Sequence, residues 1–234
     1  MKKVKEILNH IFIDGLSGMA LGLFATLIVG TIITQAGSLI GGIAGHYLVI
    51  FGKLAQALTG AGIGVGVAYK YKESPLVTIS AAVAGLVGAF ASKIIAGTVL
   101  ADGVITLAGP GEPLGAFIAA FVAVTCGHIV SGKTKIDILI TPVTTILTGS
   151  IVGIIVGPPI SEFMIKLGEL INWGTAQQPL LMGIIVSVLM GMILTLPISS
   201  AALGIILNLS GIAAGAATIG CCCNMVGFAV ASYR

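Results

Sequence analysis

Long apolar stretches alternate with short clusters of charge along this chain. Two of these stretches, residues 15–52 and 170–233, contain no Asp, Glu, Lys or Arg at all. A helix needs about 20 apolar residues to cross a bilayer, so each charge-free stretch is long enough for at least one crossing. The pattern therefore predicts an all-α, polytopic transmembrane helical bundle whose charges mark the points where the chain meets water.

Glycine and proline divide the apolar stretches into about eight predicted spans, some of them broken or re-entrant. The clearest predicted spans are residues 16–34, 75–95, 114–130, 138–157, 179–195 and 211–232. The fifth span, residues 138–157, is expected to stop at Pro158-Pro159. A seventh is expected to follow a break at Leu196-Pro197 and to run to about residue 209. Residues 96–113 are predicted to be a loop, and 160–173 an amphipathic segment.

Two interpretations of the start of the second span fit the sequence. Residues 60–69 are apolar and rich in glycine, but they are too few to cross a bilayer alone. Residues 41–58 carry His46, Lys53 and Gln56 among apolar neighbours. This segment is either an interfacial amphipathic helix or the beginning of the second span.

Lysine positions predict the orientation of the bundle. With the N-terminus in the cytoplasm, the Lys70/Lys72 and Lys133/Lys135 loops also fall inside, as the positive-inside rule requires. A single transmembrane domain, residues 1–234, is expected. A weak similarity between residues 22–33 and 149–160 predicts a parallel internal repeat with halves 1–131 and 132–234. The alternative is chance similarity between apolar segments.

The amino-acid composition excludes several classes of protein. Apolar residues make up 57% of the chain and charged residues only 8%, which excludes a water-soluble domain. The net charge of +3 is scattered, so no nucleic-acid partner is expected. Cysteine spacing fits neither a disulfide framework nor a metal site. Nucleotide-binding and hydrolase motifs are missing from the sequence, so we expect no catalytic residues and no cofactor.

Glu112 is the leading candidate for contact with a solute. It lies in the sequence Gly-Pro-Gly-Glu-Pro, residues 109–113, which cannot be helical, and Gly111 precedes it beside a predicted span. A carboxylate there can accept hydrogen bonds from sugar hydroxyls. The alternative is an ordinary turn with a solvated glutamate.

Three further polar residues lie within predicted spans. His128 is expected to form a hydrogen bond with a solute or to relay a proton. The alternative is a neutral histidine near the membrane interface whose hydrogen bonds are all made within the protein. Asn224 contacts a solute or bonds a neighbouring helix. Thr145 belongs to a row of threonines that lines either a pore or a packing face; the row contains Thr141, Thr144, Thr145 and Thr148.

Five segments of the chain resemble a known family. They read GPGEPLGAF (109–117), SGKTKID (131–137), VGPPIS (156–161), QPLLMGIIVSVLMGM (178–192) and LPISSAALG (196–204). They are similar to membrane proteins called phosphotransferase-system sugar transporter subunit IIC, and most similar to the branch called perfringolysin O regulators. Members of the family usually continue past the final Ala-Ser-Tyr-Arg, so this chain is expected to be a truncated version of a longer member.

The resemblance implies a bacterial inner-membrane permease that binds and moves a sugar-like solute, as a homodimer. The phosphorylated domains of a complete system are missing from this sequence, so phosphoryl transfer would require separate phosphotransferase subunits. Two alternatives remain open, namely a transporter-like sensor or regulator that moves nothing and an ion-coupled carrier that uses Asp14 or Glu112. In each case the expected partners are a small polar solute and the lipid bilayer.

Overall fold

A computed structural model of the chain describes residues 14–101, 103–193, 204, 207 and 209–233. The described residues are almost entirely helical, which confirms the predicted all-α membrane fold. Among them, four helices are long and apolar enough to cross a membrane, or five if one bent pair counts as a single span. The predicted total of about eight stays a prediction. The expected break at Leu196-Pro197 and most of the seventh span lie outside the described residues.

The chain divides into two compact units at Ser161/Glu162. The elements of the first are α1 (Leu16–Leu23), a π-helical segment (Phe24–Ile28), α2 (Val29–Ile40), α3 (Gly42–Ala57), α4 (Thr59–Lys70), α5 (Pro75–Ala89), α6 (Ala91–Ile95), strands β1 (Leu100–Ala101) and β2 (Val104–Ile105), α7 (Pro113–Val130) and the first part of α8 (Asp137–Gln177). The second unit contains the rest of α8, α9 (Pro179–Ile193) and α10 (Gly211–Ser232). The predicted repeat halves, which would divide at a different place, stay a prediction.

Proline and a capping side chain fix the start of two helices. Pro75 and Pro113 occupy the first helical position, where the missing N–H costs nothing. Ser74 caps α5 by accepting from the Val77 N–H at 3.4 Å, and Glu112 caps α7. The predicted starts at residues 75 and 114 are therefore confirmed to within one residue.

Helices of the first unit cross at pairs of glycines. A Cβ atom added to Gly18 would lie 2.7 Å from the carbonyl oxygen of Gly66, and one added to Gly30 would lie 2.8 Å from that of Gly52. Backbones this close need small residues, since lipid supplies no hydrophobic drive between helices. The same arrangement recurs at the pairs Gly22–Gly62, Gly37–Gly45, Gly60–Gly85 and Gly88–Gly115. Each of these helix pairs is therefore antiparallel and held in a fixed register.

The predicted stop at Pro158-Pro159 is wrong. Helix α8 is continuous through both prolines and ends only at Gln177. Two prolines remove two backbone hydrogen bonds and cost several kcal/mol. The two prolines remove only their own N–H groups, so the residues after them can still donate to the carbonyls four residues earlier, and the helix continues.

The two ends of the first unit differ in character. At one end, here called the lysine end, Ser74 Oγ lies 3.0 Å from Ser131 Oγ, so the Lys70/Lys72 and Lys133/Lys135 loops meet. At the other, here called the Glu112 end, the Glu112 N–H donates to the Ala89 carbonyl at 2.7 Å. The expectation that both lysine loops lie on one side agrees with this contact. Which side faces the cytoplasm stays a prediction.

Candidate functional site

Glycine sets the backbone immediately before Glu112. Gly111 has φ +73°, in the left-handed region that favours glycine. A Cβ atom on Gly111 would also lie 2.7 Å from the carbonyl oxygen of Ala89. That carbonyl accepts the Glu112 N–H, so the loop is held against the end of α5. The backbone of Gly111 and Glu112 is therefore fixed by contact with the bundle and is not a free turn.

The carboxyl group of Glu112 serves the helix with one of its oxygens. Its Oε1 accepts from the Leu114 N–H at 3.0 Å, which caps α7. Among the described residues, none donates a hydrogen bond to Oε2. Burial raises the pKa of this carboxyl above its ordinary 4.5, and the Leu114 bond opposes part of that rise. A half-buried carboxyl with one available oxygen can accept hydrogen bonds from a polar solute.

Small residues surround the carboxyl. A Cβ atom on Gly115 would lie 3.6 Å from Glu112 Cγ and 3.5 Å from the Cα atom of Gly157 in α8. Pro158 and Pro159 follow Gly157, and because they lack an N–H the carbonyls four residues earlier, on Ile154 and Ile155, lose their helical donors. Sequence analysis considered these prolines only as a helix stop and did not consider the two carbonyls as hydrogen-bond acceptors.

His128 lies at the opposite end of α7 from Glu112. Their separation of 16 positions corresponds to about 24 Å of helix, so one small solute cannot contact both at once. His128 Nδ1 lies 3.0 Å from Glu73 Oε1, with the histidine side chain 72% exposed and that of Glu73 only 8%. Sequence analysis did not pair Glu73 with His128. The one feature that favoured such a pair was the expectation that the loops at residues 70–72 and 133–135 lie on the same side of the membrane.

Thr145 is buried in the contact between α7 and α8. Its Oγ1 donates to the Thr141 carbonyl at 2.7 Å, and a Cβ atom on Gly127 would lie 2.5 Å from that hydroxyl. Thr141 and Thr145 are therefore buried, while Thr144 and Thr148 are half-buried. Whether the row contacts a solute stays a prediction. A solute would reach Thr145 only if α7 and α8 separated.

Asn224 lies in the second unit, where it joins two helices. Its Nδ2 donates to the Gly191 carbonyl at 2.5 Å, which ties α10 to α9. This bond is the interhelical alternative for Asn224, and it still leaves the amide oxygen for other contacts.

Replacing Asn224 with leucine is expected to lower the free energy of unfolding by about 1 kcal/mol, because the variant loses an interhelical bond in an apolar setting. Thermal unfolding of the purified protein in detergent measures the effect. Cys223→Leu is the matched control, because Cys223 is exposed on the same helix. An equal loss in both variants would contradict a stabilising role for the Asn224 bond.

Comparison with known protein families connects this geometry to a class of protein. The family model described as "Phosphotransferase system, EIIC" matches residues 13–234. No curated protein matches the chain, and no solved structure matches it. Since the match covers almost the whole sequence and the fold is a multi-pass helical one, the chain belongs to the phosphotransferase system EIIC family of membrane proteins.

Proposed function

We propose that this protein is a permease of the bacterial inner membrane that binds and moves a small, polyhydroxylated, sugar-like solute. Family membership supports a permease-like transport protein. A homodimer, a cytoplasmic N-terminus and separate phosphotransferase subunits as partners belong to the same proposal, as does placement in the perfringolysin O regulator branch. Motion of one part of the bundle against another would carry the solute, as in other secondary transporters.

The proposal rests on the fixed position of the Glu112 carboxyl group. Its backbone is fixed by the Ala89 carbonyl, and one oxygen of its carboxyl caps α7. The second oxygen is positioned without a rotamer search, because the first is already bound, and preorganisation of this kind favours binding. A carboxylate can accept hydrogen bonds from the hydroxyl groups of any sugar, so this contact does not specify which sugar binds. Asn224, His128 and Thr145 remain proposed contacts for other steps of transport.

A ligand screen followed by a flux measurement tests the function. The purified chain is heated with sugars, polyols and nucleosides, and a binder at a hundred times its Kd should add about 2.7 kcal/mol of stability. The binder is then offered, radiolabelled, to proteoliposomes that contain the protein and to empty liposomes. Uptake above the empty liposomes supports the permease. Binding without uptake supports the regulator instead.

The raised pKa of Glu112 favours the ion-coupled carrier as the second candidate. A carboxyl whose pKa lies above its ordinary value can take up a proton at mildly acid pH. In that case flux would depend on a pH gradient across the proteoliposome membrane. If flux is unchanged when the gradient is collapsed with an ionophore, the carrier does not use protons.

Solute affinity should fall as the pH is lowered through the raised pKa of Glu112. Above that pKa the group is an ionised acceptor, and below it the proton occupies the oxygen that would accept from a hydroxyl. Each pH unit below the pKa should weaken binding by about tenfold. Titration calorimetry across the acid range measures this, with Glu112→Gln as the control. Equal pH dependence in both proteins would assign the effect to another group.

A further inference from the structure

The hairpin formed by α2 and α3, here called the arm, continues past the Glu112 end of the first unit. Helices α1 and α4 pack along the bundle at Gly18–Gly66 and Gly22–Gly62. At the level where α4 meets Ala89, α1 becomes π-helical (Phe24–Ile28) and α3 bends by 54° from α4. Beyond this level the arm packs on itself through Gly30–Gly52 and Gly37–Gly45. The connections of α2 to α1 and of α3 to α4 are therefore both irregular at the same level of the bundle.

One side of the arm carries its polar side chains. Each residue of a helix is rotated by about 100° from the residue before it. Counted from the glycines at the contact, the polar residues of both antiparallel helices therefore lie on the same side of the hairpin. Gln56 joins the two rows, because its Nε2 donates to Thr31 Oγ1 at 3.3 Å. This polar row consists of Thr31, Gln35 and Ser38 from α2 and His46, Lys53 and Gln56 from α3.

The rest of the arm is apolar and exposed. Ile40 and Phe51 lie on the side opposite the polar row, 63% and 56% exposed. The tip is also apolar, with Leu39 87% and Ile43 81% exposed on either side of the turn at Gly41. Water around such a tip would be unfavourable. Lipid on all sides of the arm would be unfavourable for the polar row, which includes the Lys53 ammonium.

The ribbon β1–β2 locates the Glu112 end relative to the bilayer. It pairs Leu100 with Ile105 and Ala101 with Val104, and no other strand among the described residues pairs with either outer edge. Exposed sheet edges do not occur in the hydrocarbon region, because their backbone groups would have no partners there. The exposed Leu100, Val104 and Ile105 suit a boundary where apolar groups reach lipid and backbone groups reach water. The arm, which continues past this level, lies at that boundary too.

We propose that the arm lies along the membrane surface at the Glu112 end, with its apolar side in the acyl chains and its polar row toward headgroups and water. The partner is the lipid–water interface. Segregated polarity over two helices, an apolar tip and a cation on the polar side are the features of interfacial helices. The 54° bend at Leu58, with the π-helical segment Phe24–Ile28 at the same level, turns α3 away from the direction of the bundle.

Tryptophan reporters in the full chain test the proposal. The single native tryptophan is removed by Trp173→Phe, and Ile40→Trp or Phe51→Trp is added. These two positions lie about 14 Å apart along the arm and on its apolar side. Proteoliposomes are made with lipids brominated either near the headgroup end or near the methyl end of the acyl chain. Both reporters should be quenched about twofold more by the shallow bromine, and to the same extent as each other.

Two comparisons make the result decisive. Val83→Trp, exposed in the middle of α5, should respond most to the deep bromine. Ser38→Trp, level with Ile40 but in the polar row, should respond to acrylamide in the water and little to either lipid. An upright arm would give different depths at Ile40 and Phe51, and an arm packed on protein would leave both unquenched. Either outcome overturns the proposal, and neither bears on solute transport.

Discussion

Replacing Gly18 with valine is expected to lower the free energy of unfolding by about 3 kcal/mol and to reduce Tm by roughly 6 to 12 °C. The new Cβ would lie 2.7 Å from the Gly66 carbonyl oxygen, and the Cα atom of Val67 is at the same distance. Both are backbone atoms that cannot rotate away, so α1 and α4 must separate. Separation exposes the fully buried Ile63 and Val67. Thermal unfolding in detergent, followed by loss of the soluble monodisperse protein, measures the change.

Gly227→Val in α10 is the matched control. Both glycines lie inside helices and both variants gain the same side chain, so changes of backbone entropy are similar in the two. At Gly227, however, an added Cβ meets nothing within 4 Å among the described residues. We expect its Tm to stay close to that of the parent protein. Equal losses in both variants would mean that valine itself, and not the Gly18–Gly66 contact, causes the damage.

Charges and prolines were enough to predict where several helices lie. The charge-free lengths indicated membrane spans, and Pro75 and Pro113 marked two helix starts because proline is tolerated at the first helical position. The last helix, Gly211–Ser232, has the predicted bounds. These features are local, since each depends on a few neighbouring residues and the surrounding solvent.

Interruptions inside apolar stretches were not predictable in the same way. The π-helical segment and the bend at Leu58 occur where the residues are as apolar as their neighbours. Both lie between the glycine contacts Gly22–Gly62 and Gly30–Gly52, and a sequence with 34 glycines allows many registers. Pro158-Pro159 failed as a stop for a different reason, because two prolines remove only their own N–H donors and the helix continues after them.

Sequence analysis placed the candidate site only in part. Glu112 was chosen because its Gly/Pro surroundings exclude a helix, and the structure gives that loop a fixed conformation against Ala89. The partner of His128 was not predictable, because Glu73 is 55 residues away and only the folded hairpins bring the two together. Long-range pairs of this kind depend on helix register, which the pattern of apolar residues does not specify.

Glu112→Gln is expected to weaken solute binding by roughly tenfold to a hundredfold, because a hydrogen bond to a charged group contributes about 1.5 to 3 kcal/mol. Glutamine has the same shape and keeps an oxygen that can accept the Leu114 N–H, so α7 retains its cap. Stability should therefore change by less than about 1 kcal/mol. Titration calorimetry with the solute found by thermal shift measures affinity, and proteoliposome uptake measures flux.

Glu162→Gln is the control for a general effect of removing a carboxylate. Glu162 is exposed and paired with Lys166 at 2.6 Å, and exposed pairs contribute little, so binding and stability should both stay at the parent values. Glu112→Ala adds a second comparison, since it removes the cap as well and should cost about 1 kcal/mol of stability beyond its effect on binding. Unchanged affinity in Glu112→Gln would show that Glu112 only caps α7. A loss of binding in Glu112→Gln with normal unfolding would instead place the solute at the second oxygen of this carboxyl, because that oxygen is the group the substitution changes without disturbing the helix.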